Sequence, residues 1–117
     1  MRGSLLLIVI LIISSVHAAK ITVGPAGEDF KQIQQALGNA SAGDIIEVHS
    51  GVYMEHLYIQ KALKLVGIDT GQGMPVIDGN GSSSVITLSV NGSIVQGFNL
   101  TGSGGCGCGN AGVKVSS

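Results

Sequence analysis

The sequence predicts an all-β solenoid, in which short strands separated by tight turns stack coil upon coil. From Gly43 onwards the apolar residues occur in short, β-branched bursts bounded by glycine, which fit buried strands better than helices. Asn, Asp and Gly recur between the bursts, as tight turns require. The bursts also repeat loosely at about 20 residues, a period at which one coil cannot bury its own apolar face and must stack on neighbours.

The repeat is visible in two sets of apolar residues. Each set follows a nearly constant interval, which we interpret as the length of one coil. The sets are Ile59, Ile77, Val95 and Val113 at intervals of 18 residues, and Ile46, Leu65 and Ile86 at intervals of 19 and 21.

Residues 1–18 have the composition of a secretory signal peptide. Met1-Arg2 provides a basic start, an apolar run extends from Leu5 to Ile13, and Val16-His17-Ala18 resembles a signal-peptidase site. The apolar run is shorter than the roughly 20 residues of a membrane-spanning helix. We therefore expect cleavage after Ala18 and a secreted, periplasmic or cell-surface location. The alternative is an uncleaved segment that anchors the chain in a membrane.

Residues 19–42 predict a first strand, at 21–23, and then a helix. Asp29 and Gln32 have the spacing of a capping box, and Gly38 is suited to end the helix. Three apolar residues fall on one helical face, namely Phe30, Ile33 and Leu37. Because the terminal coil of a solenoid exposes apolar surface and unpaired strand edges, we expect this helix to cover that end.

Residues 43–117 predict a succession of short strands. Asp78-Gly79, Asn80-Gly81 and Asn91-Gly92 mark tight turns between them. The predicted strands are the apolar bursts at 45–48, 57–59, 63–66, 76–77, 85–90, 94–95, 98–101 and 113–115. The chain then offers two to three coils, whereas a solenoid needs at least about three for stability. We expect a fragment truncated at its C-terminus; the alternative is association through the open end.

Residues 27–67 carry a resemblance to a known superfamily. The matching pieces are DF-x-x-IQ-x-AL, the Gly43-Asp44 turn, IIEV-x-x-GVY-x-E and the strand KALKLVG. They resemble the N-terminal part of right-handed parallel β-helix proteins of the pectin-lyase-like superfamily, a pattern that pectinesterases share with NosD-like, carbohydrate-binding and sugar-hydrolase β-helices. The resemblance implies a cap strand and helix over 19–42 and the first coils of a parallel β-helix over 43–117.

The resemblance is more specific for the fold than for an activity. We expect an exported, non-catalytic scaffold or carbohydrate-recognition module that binds a polysaccharide or cell-surface glycan. One alternative is a polysaccharide-active enzyme of the pectinesterase, hydrolase or lyase type whose catalytic coils are missing from this sequence. A second alternative is a copper-handling protein of the NosD-like kind.

The carboxylates give little support to catalysis, and no catalytic residue is predicted. Sugar chemistry needs two carboxyl groups held about 5 to 10 Å apart. Asp44, Asp69 and Asp78 all adjoin glycine or other small residues in turns, where Asp is common for backbone reasons. The resemblance places pectinesterase-like aspartates in later coils, and the calcium-binding acids and arginine base of pectate lyases are absent.

Charge excludes one class of partner. Once residues 1–18 are removed, the chain has five lysines, seven acids and no arginine. Nucleic acid would need a clustered cationic face, and an acidic polysaccharide would favour arginine's bidentate fork. We therefore expect no nucleic-acid partner, and a membrane contact only through an uncleaved leader. The lysines are scattered and predicted to be solvated, at Lys20, Lys31, Lys61, Lys64 and Lys114.

A polar cluster between two apolar bursts is the candidate carbohydrate site. A sugar could stack on a tyrosine while carboxylate and imidazole groups bind its hydroxyls. The candidates are Tyr53, Glu55, His56 and Tyr58, with His49 beside them. The alternative is an outward polar face with Tyr53 packed beneath the helix. The resemblance favours this alternative, because it matches Tyr53 and Glu55 to framework positions of GVY-x-E.

Cys106 and Cys108 are the only cysteines and lie in a glycine-rich loop. In an exported protein we expect oxidation, although a C-x-C disulfide strains its geometry. The alternative is a soft-metal site in which the two thiolates hold Cu(I). No other cofactor is predicted.

Four sequons offer glycosylation sites if the host glycosylates exported proteins. All lie in or beside predicted turns, although Asn-Gly-Ser is also the ordinary sequence of a tight turn. The acceptors are Asn39, Asn80, Asn91 and Asn99.

Overall fold

The computed structural model describes residues 18–81 and 84–102 and the backbone of the strand at 113–115. These residues form one short helix and ten strands. The helix is α1 (Ile33–Asn39), and the strands are β1 (Lys20–Val23), β2 (Ile45–His49), β3 (Val52–Tyr53), β4 (Leu57–Ile59), β5 (Lys64–Ile68), β6 (Val76–Asp78), β7 (Ile86–Leu88), β8 (Ile94–Gln96), β9 (Asn99–Thr101) and β10 (Val113–Val115). All the strands except β3 overlap the strands that the sequence predicted; β3 lies in the polar segment between two apolar bursts and was not predicted.

All the strands pair in parallel, in three sheets. The first sheet has the order β1-β2-β5-β8, the second β3-β6-β9 and the third β4-β7-β10. From β2 onwards the chain visits the three sheets in rotation and returns to each one strand further along. Parallel neighbours cannot be joined by a tight hairpin, and here the intervening strands of the other two sheets make the connection.

The register of the sheets lines up apolar residues in columns. Ile46 pairs with Leu65, and Leu65 pairs with Val95. In the second sheet Tyr53 pairs with Ile77, which pairs with Leu100. Paired residues thus lie between 19 (65 − 46) and 30 (95 − 65) positions apart. Turns of different length between the strands cause this variation.

The predicted 18-residue interval is wrong as a stacking period. Ile59, Ile77 and Val95 belong to β4, β6 and β8, which lie in three different sheets. Likewise Ile86 pairs with Leu57, not with Leu65. A constant interval cannot follow a column when the turns between strands vary in length.

The core lies between the three sheets and beneath α1. Strand residues alternate between inward and outward positions, so that in β2 only Ile46 and Val48 are fully buried. The largest fully buried side chains are Val23, Ile33, Ile46, Val48, Leu57, Ile59, Leu65, Pro75, Ile77, Val85 and Ile86. Ile and Val dominate because their branched side chains pack well on a pleated surface.

Two glycines allow β5 to approach the turn after β8. A Cβ on Gly67 would collide with the carbonyl of Gly97 and would lie 2.8 Å from the ring of Pro75. Gly97 in turn has φ of 87° and faces the backbone of Gly67. The glycine that ends KALKLVG therefore permits close packing between successive layers.

The helix covers one end of the sheets, but its predicted ends are wrong. α1 contacts β1, β2 and β4. Gln32 occupies the N-cap without a side-chain capping bond. The Asp29 carboxylate instead accepts hydrogen bonds from the backbone N–H and the hydroxyl of Thr22, at 3.0 and 3.1 Å. Gly38 lies inside the helix, whose last residue is Asn39 and whose C-cap is Ala40. The buried face consists of Ile33, Ala36 and Leu37.

Candidate functional site

Tyr53 lies in the interior beside the polar segment predicted to bind sugar. Its side chain is 6% exposed, and its hydroxyl donates a 2.7 Å hydrogen bond to the carbonyl of His49. Burial, and then the nearby carboxylates of Glu28 and Glu55, raise the pKa of Tyr53 above its usual value. The ring therefore packs as part of the core and offers no face to a ligand.

Glu55 caps the helix from a distance in sequence. Its two carboxylate oxygens accept the backbone N–H groups of Ile33 and Gln34, at 2.9 and 3.0 Å. These N–H groups have no partner within the helix, and an anion there also opposes the positive end of the helix dipole. Glu55 thus caps the N-terminus of α1, the role that the sequence predicted for Asp29 and Gln32.

Lys61 caps the opposite end of α1, which corrects its prediction as a solvated lysine. Its ammonium group donates to the carbonyls of Leu37, Gly38 and Ala40, at 3.1, 3.2 and 2.6 Å. A cation there satisfies carbonyls that the helix leaves unpaired. The helix itself has no acid in its first turn and no base in its last, so both caps come from the segment around β4.

His56 is half-buried and joins two layers. Its Nδ1 lies 2.9 Å from the carbonyl oxygen of Ser84, and because a carbonyl can only accept, this nitrogen carries the proton. His56 therefore links the segment before β4 to the segment before β7.

Tyr58 is the member of the cluster that faces outward. Its side chain is 55% exposed, and its backbone N–H donates to the Gln34 side-chain oxygen at 3.0 Å. The Gln34 amide also lies 3.5 Å from the carbonyl of Tyr58, so Gln34 occupies the free edge of β4. Beside the tyrosine runs a groove of about 140 Å³ between α1 and β4, lined by Gln34, Leu37, Gly38, Tyr58, Gln60, Lys61 and Leu63.

His49 belongs to a separate charged cluster on the first sheet. Its Nδ1 lies 2.8 Å from a carboxylate oxygen of Glu28, and its Nε2 lies 3.6 Å from Glu47, which also pairs with Lys20 at 3.1 Å. The hydrogen bond from His49 is the main cause that lowers the pKa of Glu28 below its usual value. The cluster fastens the loop after β1 to the face of β2.

All seven carboxylates of the chain have partners within the described fold. Glu28, Glu47 and Glu55 bind as given above, and Asp29 binds Thr22. The remaining aspartates accept backbone N–H groups in turns: Asp44 from Ala19 and Ser41, Asp69 from Gly71 and Gly73, and Asp78 from Asn80. The two N–H groups are the main cause that lowers the pKa of Asp69.

The four sequon asparagines have exposed positions, in different settings. Asn39 is the last residue of α1, and its side chain donates to the carbonyl of Gln35 at 2.8 Å. Asn80 has φ of 57°, as a tight turn requires. Asn91 precedes a glycine in a turn, whereas Asn99 begins β9.

Cys106 and Cys108 lie outside the described residues. The copper site and the disulfide alternative therefore remain predictions. Within residues 18–81 and 84–102, no three His, Cys, Asp or Glu side chains come together as a metal site would require. In the same part of the chain, no helix is long and apolar enough to cross a membrane.

Some residues of the segment from His49 to Tyr58 thus stabilise the fold, whereas Tyr58 lies at the surface. Tyr53 and Glu55 support the core and the helix, His56 joins layers, and Tyr58 borders an open groove. Sequence reasoning missed Gln34, which only the docking of α1 on β4 brings beside Tyr58. It also left Gln60 and Lys61 out of the cluster, although they follow Tyr58 closely in the sequence. No family model, curated protein or solved structure matches this chain.

Proposed function

We propose that this chain forms part of a right-handed parallel β-helix that serves as an exported, non-catalytic scaffold with a carbohydrate-recognition surface. The cyclic order of the three parallel sheets supports the β-helix, because each passage of the chain lays one strand on each sheet. Crossovers between parallel strands are right-handed in about 98% of cases, which favours a right-handed coil.

The exposed Tyr58 ring beside the groove carries the binding part of the proposal. An aromatic face at the surface gives a sugar ring an apolar surface to stack on, and the groove provides room next to it. Gln60 and the tyrosine hydroxyl add hydrogen-bond donors and acceptors of the kind that bind sugar hydroxyls.

The charges around the groove favour a neutral sugar over an acidic one. Lys61 is the cation that lines it, and its ammonium group is directed at three carbonyls of α1. No arginine follows residue 2, so the proposed module has no guanidinium group that could bind a carboxylate through two hydrogen bonds. We therefore expect neutral oligosaccharides to bind better than oligogalacturonate.

The hydrogen bonds and ion pairs that engage the seven carboxylates support the non-catalytic proposal over the enzyme alternative. A catalytic acid or base must reach a substrate proton, and these carboxylates already hold a helix end, a loop or a turn. Releasing one of them would expose the backbone N–H groups or the histidine that it binds.

A titration with defined oligosaccharides tests the proposal. Cello-, manno- and galacto-oligosaccharides and oligogalacturonate are titrated into the protein, with binding followed by calorimetry and by NMR of the tyrosine rings. Tyr58→Ala should weaken binding of a neutral oligosaccharide by about tenfold, while Tyr58→Phe keeps the aromatic face and most of the affinity. Val52→Ala, at a residue that is 69% exposed on β3 outside the groove, is the matched control.

Two results would contradict the proposal. If no neutral oligosaccharide binds, or if Tyr58→Ala binds as well as the unchanged protein, the groove is not a sugar site. If the unchanged protein releases reducing ends or methanol from pectin, the non-catalytic part is wrong.

A further inference from the structure

Asp44 is a buried carboxylate that holds the beginning of the described chain. The residue is 7% exposed, and its side chain accepts two backbone N–H groups, from Ala19 at 3.0 Å and from Ser41 at 2.8 Å. Among the described residues no Lys, Arg or His side chain forms an ion pair with it. A buried carboxylate is costly unless hydrogen bonds or a cation compensate its charge.

Both backbone groups of Ala19 form hydrogen bonds, one with Asp44 and the other with Ile45. Its N–H donates to the Asp44 side chain, and its carbonyl accepts the N–H of Ile45 at 2.9 Å. The parallel pairing of β1 with β2 starts at the next residue, where Lys20 stands opposite Ile45. Ala18 and Ala19 are both exposed, so the peptide bond between them lies at the surface while the nitrogen of Ala19 points at a buried acid.

The sequence places a signal-peptidase site at this same bond. Val16-His17-Ala18 has the small-residue pattern that precedes cleavage. Hydrolysis of the Ala18–Ala19 bond adds one water, leaves a carboxylate on Ala18 and turns the Ala19 amide into an amine that is protonated near neutral pH. The nitrogen that now donates one neutral N–H to Asp44 would then carry a positive charge. Hydrogen bonds between ionised partners are shorter and about twice as strong as neutral ones.

We propose that the Ala18–Ala19 bond is a processing site and that the α-ammonium group which cleavage creates binds Asp44 as its counter-ion. Processing by an export peptidase thus strengthens a contact already present: the buried carboxylate gains a cation, and the residue before β1 is held by a hydrogen bond between two charged groups. Cleavage one residue earlier or later would displace the charge from Asp44.

The first test identifies the new N-terminus. The full 117-residue chain is produced in a secretory host, and the exported protein is analysed by intact mass and N-terminal sequencing. We expect Ala19 as the first residue. A retained leader, or a different first residue, would overturn the proposal.

The second test measures whether Asp44 holds the amine. The exported protein is treated near neutral pH with a limiting amount of an acylating reagent, and the modification of Ala19 is followed by peptide mapping. We expect Ala19 in the folded protein to react about tenfold more slowly than in the urea-unfolded protein, because a hydrogen bond to a charged group must break first. Asp44→Asn keeps one of the two acceptor oxygens, removes the charge and should restore most of the reactivity.

Asp69→Asn is the matched control, because Asp69 accepts two backbone N–H groups in an exposed turn far from Ala19 in sequence. It should leave the reactivity of Ala19 unchanged. If Asp44→Asn fails to fold, the comparison of folded with unfolded wild-type protein still decides the question. Equal rates in those two states would show that Asp44 does not bind the amine.

Discussion

The two ends of the described sheets differ in how their apolar residues are covered. At the β1 end, α1 lies over the sheets, and Val23, Ile33 and Ala36 are fully buried. At the β8–β9 end, Val95 and Leu100 are only half-buried and Ile94 is 50% exposed. An apolar recess of about 360 Å³ opens there, lined by Leu88, Ser93, Val95, Gln96, Gly97, Phe98 and Leu100.

The columns show why the ends differ. Ile46, Leu65 and Val95 are successive members of one column, yet the first two are fully buried and the third is not. Their residue types and strand positions are alike. An inward residue of this fold is therefore buried only when a layer covers it on both sides, which is the property that makes stacked coils depend on their neighbours.

The largest expected effect comes from the close contact between β5 and the layer of β8. Gly67→Ala places a methyl group against the backbone of Gly97 and the ring of Pro75, so the layers must separate. We expect a loss of about 3 kcal/mol in the free energy of unfolding, measured by urea denaturation.

The matched control is Gly38→Ala in α1, where nothing lies within 4 Å of the added methyl and the helical propensity improves. It should stabilise the protein by roughly 0.5 to 1 kcal/mol. Equal effects of the two would disprove the close approach.

The next effect concerns the cover of the β1 end. Glu55→Ala removes both acceptors from the first turn of α1 and should lower the free energy of unfolding by about 1 to 3 kcal/mol. Glu55→Gln keeps one acceptor but presents an amide donor to the second N–H, so we expect an intermediate loss. Both are measured by urea denaturation followed by circular dichroism.

Gln32→Ala is the control for the helix cap. Gln32 occupies the N-cap position but makes no capping hydrogen bond, so its replacement should change the free energy of unfolding by less than about 0.5 kcal/mol. If Gln32→Ala costs as much as Glu55→Ala, the cap belongs to the local sequence after all.

The strands and the existence of the helix followed from local patterns, but the caps and columns did not. Apolar bursts and Asn-Gly turns are set by nearest neighbours, and they located β2 and β4 to β9; they missed β3, which has only two residues, Val52 and Tyr53. The capping box at Asp29 and Gln32 was wrong because the helix begins only at Ile33, where Glu55, more than twenty residues away, accepts the first two N–H groups. The 18-residue interval was wrong because turn lengths vary, and no local signal reports which strand lies beside which.

The candidate site was predictable only in part, for the same reason. The sequence proposed Tyr53, Glu55, His56 and Tyr58 together because they are close along the chain. The alternation of strands then sends Tyr53 into the core and Tyr58 to the surface. The groove beside Tyr58 exists only because Gln34 and Lys61 fix α1 against β4, which is a tertiary contact.

A matched pair of valines tests the difference between the ends directly. Val23 and Val95 have the same side chain, but the first is fully buried beneath α1 and the second only half-buried. Val23→Ala should cost about 2 kcal/mol in the free energy of unfolding, from two lost methyl groups and the cavity that remains. Val95→Ala should cost about half as much. If Val95→Ala is the more costly change, another part of the protein covers the β8–β9 end in solution.

The smallest effects are expected at the limits of pH. The pKa of the buried Tyr53 is raised and that of the exposed Asp69 is lowered, so one group affects stability at alkaline pH and the other at acid pH. Tyr53 has its pKa raised above about 10, so the stability that it contributes is complete below pH 10 and is lost as the pH rises through the folded-state pKa. Asp69 has its pKa lowered from about 3.9, so its contribution is present above that pH and is lost as the pH falls through the folded-state value.

Urea midpoints measured from acid to alkaline pH should therefore fall at both limits. Tyr53→Phe should flatten only the alkaline fall, at the cost of the hydrogen bond to His49, and Asp69→Asn should flatten only the acid one. A Tyr53→Phe protein that still loses stability as steeply above pH 10 would show that ionisation of Tyr53 is not what destabilises the fold there.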